Sequence, residues 1–170
     1  MRAWDRFLAS SGYPGAAPRH AHNAVIDVAR KRLLRNYRTV VRLGRETHSD
    51  SPAETLHRLR IKCKKLRYLM EFFASLFPDE KVNALETHLK KLQEHLGRHQ
   101  DLWVQEKELA GFADRCPCDA RQGRRTLMAV GCLLGVFEKE RGELRQRFAA
   151  TFSEVASDSA RREFERMLTN

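Results

Sequence analysis

An all-α fold is predicted for this chain: an antiparallel four-helix bundle of long helices, with a short helix at the C-terminal end. Three observations predict it. Apolar residues recur at steps of three and four through four long stretches. The links between those stretches are short, which favours antiparallel neighbours. No stretch alternates as a strand would, and at 170 residues the chain is long enough to bury one core.

Residues 1–22 carry Trp4, Phe7 and Leu8 and then the break SGYPGAAP. This reads as an N-terminal segment and linker, with the helical domain occupying 23–170. The first helix is expected over 24–47. Ile26, Leu33, Leu34, Tyr37, Val40 and Val41 make its apolar face, and Lys31, Arg35, Arg38, Arg42 and Arg45 form a basic stripe without an acid. The second helix, 56–73, has Ser51 as a cap, Pro52 for its first turn and Glu54 to complete a capping box. Leu59, Cys63, Leu66, Met70 and Phe73 form its apolar stripe; His57, Arg60, Lys64, Arg67 and Glu71 form a cationic one.

The third helix, 79–114, places Leu85, Leu89, Leu92, Leu96 and Trp103 on the core side, with His88, Lys91, His95 and Arg98 beside them. Gly97 in mid-helix costs stability and implies close packing or a kink. The fourth helix, 124–152, has an apolar face of Leu127, Val130, Leu134, Phe137, Leu144 and Phe148, with Gly131 and Gly135 allowing close approach. Arg141 and Arg145 fall inside that apolar sector, so each needs a partner: Glu71, Asp101 or a bound anion. A final short helix is expected over 159–168.

The formal net charge of +10 and a pI near 9.9 favour anionic partners: nucleic acid, phosphate polymers or an acidic membrane. An ordinary surface helix mixes its signs; successive cationic stripes repel themselves unless an anion lies on them. No apolar run reaches the length of a membrane span, and the N-terminal residues lack a signal-peptide core. The expectation is a cytoplasmic protein with no membrane partner, whose Cys63, Cys116, Cys118 and Cys132 are thiols. Cys116 and Cys118 make a lone CxC in a loop, a weak metal or redox signal. His95 and His99 stand four apart, but no third ligand is fixed at metal spacing, so no metal or other cofactor is expected. There is no Gly-rich phosphate loop and no acidic cluster for magnesium. No catalytic residues are assigned, and the chain reads as a binding protein, not an enzyme.

The run HRLRIKCKKLRYLMEFF, followed by LKKLQEHLGRHQDLWV, resembles the signature of the CHAD family, the conserved-histidine α-helical domains. The family's His, Arg, Lys, Arg-Tyr and Glu fall on His57, Arg60, Lys64, Arg67, Tyr68 and Glu71. Its Leu-Gln, Leu-Gly and Asp fall on Leu92, Gln93, Leu96, Gly97 and Asp101. The match reads from residue 24 to 152. The resemblance implies all-helical halves related by a pseudo-twofold axis, a basic channel, and non-catalytic binding of inorganic polyphosphate. This chain resembles the C-terminal half alone, which leaves open a fragment, a truncated product or a half that dimerises.

Physics and resemblance meet in one expectation. Lys31, Arg35, Arg38 and Arg42 would face His57, Arg60, Lys64 and Arg67, with Lys91, Arg98, Arg141 and Arg145 extending a polyphosphate site. The protein would form a homodimer and reside in the cytoplasm, at polyphosphate granules. The alternatives are a nucleic-acid-binding or acidic-protein-binding module. Nucleic acid is not the expected specific ligand, because no nucleic-acid-binding pattern occurs and the aromatics sit on core faces.

Overall fold

The computed structural model describes residues 24–77, 79–116 and 121–169, and for 79–84 the backbone alone. The expected N-terminal segment and Cys118 lie outside them. α1 spans Val25–Arg45, α2 Ala53–Phe73, α3 Asp79–Ala113, α4 Arg121–Ala156 and α5 Asp158–Thr169; a 3-10 turn at Ala74–Leu76 follows α2. No strand occurs among the described residues. The all-α bundle is therefore the observed fold.

Consecutive helices pack side by side, α1 on α2, α2 on α3 and α3 on α4, while α5 returns to lie against α3 and α4. The buried stripe of α2 is Leu56, Leu59, Cys63, Leu66, Met70 and Phe73. It meets Leu33 and Val40 of α1 and Leu85, Leu89, Leu92 and Leu96 of α3 in one core, to which α4 adds Phe148 and Phe152 and α5 adds Phe164 and Met167. Burying each such side chain contributes about 1.5–3 kcal/mol. The Cys63 thiol is fully buried, and burial pushes its pKa up to about 12.

Two contacts close α1 onto the C-terminal elements. The Tyr37 hydroxyl donates to the Val155 carbonyl at 2.9 Å, and its ring stacks on Phe164 with centroids 4.4 Å apart. A Cβ added to Gly44 would run into the ring of Phe152, so glycine is the residue that lets α1 approach α4 there. Gly131 and Gly135, expected to serve a similar purpose, have nothing within 4 Å of where a Cβ would stand. A Cβ added to Gly97 would stand at an ordinary 3.8 Å from the Arg60 side chain.

Local details depart from expectation in other places. Ser51 does not cap α2; its hydroxyl accepts from the His48 amide at 2.9 Å, and Pro52 occupies the N-cap position. Trp103 is half-buried at the side of α3, with the Lys107 ammonium 3.9 Å from its ring centroid, while Leu102 and His99 take the buried positions. α3 and α4 have 35 and 36 residues against 21 in α1 and α2. At about 1.5 Å per residue they outrun the shorter pair by roughly 20 Å.

Candidate functional site

α1 and α2 pack along one flank of each and leave a groove of about 880 Å³ between them. Lys31, Arg32, Arg35 and Arg42 line it from α1, and Arg58, Lys62 and Lys65 from α2; none of the lining residues is acidic. Their spacing explains the convergence. Steps of three and four keep a row on one side of a helix, with successive members about 5 Å apart along the axis. Arg42 pairs with Glu46 at 3.0 Å at one end of the groove. Among the described residues no ion pair engages Lys31, Arg32, Arg35, Arg58, Lys62 or Lys65. Such a row repels itself, and bound anions are the direct remedy.

The remaining members of the expected set stand elsewhere. Arg38 borders a shallow hollow on α1 with Lys31, Arg35 and Arg42, and also a second groove with Arg42, Arg45 and Arg161, where Glu46, Asp158 and Glu165 partly offset the charge. His57, Arg60 and Arg67 turn toward α3. His57 Nδ1 lies 2.8 Å from Gln100 Oε1, and because the amide oxygen accepts, the ring nitrogen donates. Arg67 Nε donates to Gln93 Oε1 at 3.0 Å, Arg67 also pairs with Glu71, and Gln93 Nε2 donates to the Cys63 carbonyl at 3.1 Å. Arg60 lies over Gly97, with its Nε buried and unpartnered. Lys64 borders an apolar hollow on the outside of α2.

The expected meeting of the two rows is thus replaced by another. The α1 row faces Arg58, Lys62 and Lys65, and the row of His57, Arg60 and Arg67 faces α3. The reason is angular. At about 100° per residue, the His57 row and the Arg58 row flank the buried stripe on opposite sides, roughly 110° and 100° away. Only the placement of the neighbours decides which flank meets α1.

The four outlying cations tie α3 to α4 and to the α1–α2 link. Lys91 Nζ and His88 Nδ1 meet Glu154 Oε2 at 3.1 and 3.0 Å. Arg98 makes a bidentate pair with Glu140 at 2.6 and 2.7 Å. The hydrogen bond from Arg98 holds the Glu140 carboxyl below its usual range, and those from His88 and Lys91 do the same for Glu154. Arg141 Nε pairs with Glu106 at 2.9 Å, a half-buried contact. Arg145 donates to the Ser49 and Ser51 carbonyls at 2.8 and 2.6 Å. The partners of Arg141 and Arg145 are therefore Glu106 and backbone carbonyls, in place of the expected Glu71 or Asp101. Burial, then the neighbouring Arg141, lowers the Arg145 pKa.

His99 is 1 % exposed and its Nε2 has no partner. Burial, then Arg145 and Arg141, pushes its pKa down to about 4, so the ring is neutral at neutral pH. His95 Nε2 donates to the Leu144 carbonyl at 2.8 Å, and burial lowers its pKa as well. Among the described residues no three His, Cys, Asp or Glu side chains gather at a metal-binding distance.

Arg32, Arg58, Lys62 and Lys65 stand outside the set expected from the sequence. Their own three-and-four spacing was the available signal, hidden because it shares the helices with the more family-like rows.

The model of the CHAD domain family matches residues 1–110. The match takes in α1, α2 and most of α3 and ends before α4, short of the expected extent to 152. No curated protein matches the chain. The matched residues make up 110 of the 170 and include both motif runs on α2 and α3, and the chain belongs to the CHAD domain family.

Proposed function

We propose that this protein is a non-catalytic receptor for inorganic polyphosphate, held in the α1–α2 groove. Lys31, Arg32, Arg35, Arg42, Arg58, Lys62 and Lys65 hold the anion, and Arg38 and Lys64 flank it. In this reading His57, Arg60 and Arg67 set the α2–α3 seam, and Lys91, Arg98, Arg141 and Arg145 hold α3, α4 and the α1–α2 link in place. One observation carries the proposal: cations from two rigid helices line a single groove that contains no acid.

The chemistry fits a linear phosphate chain. From Lys31 to Arg42 the α1 row runs about 16 Å, so several consecutive phosphates find a cation at each turn. Arginine offers a bidentate fork to phosphate oxygens and lysine a point charge. No stacking aromatic lines the groove, as a base-free ligand requires, and no carboxylate or histidine stands there to move a proton. Membership of the CHAD family supports the same ligand. None of the described helices is long and apolar enough to cross a membrane. In the same reading the protein resides in the cytoplasm, at polyphosphate granules. A homodimer belongs to the same reading, supported by exposed apolar residues such as Phe72 and Met128.

The test is a titration of fluorescently labelled polyphosphate, with duplex DNA and polyglutamate as competitors at equal charge concentration. Saturable binding that unlabelled polyphosphate displaces and the others displace weakly is the expected result. Equal displacement by DNA would make the groove a general anion attractor. Preferential displacement by polyglutamate would assign it to an acidic protein.

A further inference from the structure

α2 is apolar on two sides. Opposite its buried stripe, Ile61, Tyr68 and Phe72 are 47 %, 53 % and 77 % exposed. A helix with apolar residues on both sides is one that expects neighbours on both sides. With Lys65 these residues follow one another at steps of four, three and four, the spacing of a helix–helix seam. The seam runs into the cationic groove, since Ile61, Lys65 and Leu69 line both the apolar hollow and the groove.

The order of side chains in the seam is self-complementary when reversed. An antiparallel twofold pairing sets Ile61 against the partner's Phe72 and Lys65 against the partner's Tyr68. Each seam then makes apolar pairs at its ends and cation–aromatic pairs between them, and no lysine opposes a lysine. What opposes the pairing is charge. Each copy carries a net +10, the groove cations Arg58 and Lys62 flank the seam, and Lys65 lies within it.

We infer that a second copy of this chain docks on the Ile61–Tyr68–Phe72 face of α2, and that a polyanion in the adjoining grooves drives the pairing by neutralising them. This rests on the polyphosphate reading and adds a consequence to it. Ligand and dimer are linked, so each tightens the other by the same factor.

Sedimentation velocity at low ionic strength, with and without medium-chain polyphosphate, tests it. Polyphosphate should lower the dimer dissociation constant by roughly tenfold or more. Phe72→Ser and Tyr68→Ser should remain monomeric with polyphosphate present while still binding it. Both positions are exposed, so the fold should tolerate the changes. If wild type and Phe72→Ser bind polyphosphate and sediment alike, the interface is wrong. If Phe72→Ser instead abolishes binding to phosphatidylglycerol vesicles and no dimer forms, a lipid surface is the occupant and the inference is overturned. If no polyphosphate binds at all, the ligand reading fails; a Phe72-dependent dimer appearing when sodium chloride screens the charge would then support the seam alone.

Discussion

Replacing His99 by leucine should remove a large part of the acid sensitivity of this fold between pH 6.5 and 4. His99 is 1 % exposed, its Nε2 is unpartnered, and its pKa falls from 6.5 to about 4 through burial and the nearby Arg145 and Arg141. The folded state therefore binds its proton less readily than the unfolded state. The stability this contributes is fully present above pH 6.5 and is lost as pH falls toward 4. A gap between 6.5 and about 4 corresponds to roughly 3 kcal/mol, a large share of the ~5–15 kcal/mol that holds a typical domain folded. Urea unfolding followed by far-UV circular dichroism at a series of pH values gives the comparison. The wild-type midpoint should fall steeply between pH 6.5 and 4, and His99→Leu should fall by about 3 kcal/mol less over the same span. At neutral pH the variant should be at least as stable, because leucine leaves no orphaned nitrogen. Parallel profiles for the two proteins would refute the assignment of His99 as a neutral buried group.

Two further substitutions probe how α1 is held. Tyr37→Phe removes the donor to the Val155 carbonyl and should cost about 1–3 kcal/mol in urea unfolding; an unchanged midpoint would mean that the ring stack on Phe164 alone secures the contact. Gly44→Ala sets a Cβ against Phe152, an overpacking cost of about 1–3 kcal/mol; offset by the ~1 kcal/mol that alanine gains in helix propensity, the net should be a destabilisation of up to about 2 kcal/mol. A more stable Gly44→Ala protein would show that α1 and α4 do not need to approach so closely.

Much of the fold was legible because burial follows period. Leu59, Cys63, Leu66, Met70 and Phe73, read as one stripe, are all buried. The helix ends came within a few residues, since Pro52 and the break after Phe77 punctuate the chain locally. The site was less legible, for a geometric reason. A helix carrying two cationic flanks gives no internal sign of which flank its neighbour covers. The row that matches the family signature is the more conspicuous of the two, and in the fold part of it is used against Gln93, Gln100 and Gly97. Arg98 and Arg141 have their charges met by Glu140 and Glu106, which lie 42 and 35 positions away, so periodicity within one helix could not pair them. The outer seam of α2 was hidden by Lys65, which interrupts an otherwise apolar stripe.

The cations of the α1–α2 groove, and not those paired across α3 and α4, are proposed to hold polyphosphate. The salt dependence of polyphosphate affinity in Arg58→Ala/Lys62→Ala/Lys65→Ala, measured beside Arg98→Ala/Lys91→Ala, tests it most directly. By analogy with nucleic acids, each phosphate contact contributes roughly 0.7–0.9 to the slope of log K against log salt. The groove triple variant should weaken binding sharply and flatten that slope by about 2–3, while the α3 double variant keeps both close to wild type. The opposite pattern, with the groove variant binding as wild type and the α3 variant losing affinity and slope, would contradict the claim and move the ligand to the α3–α4 face.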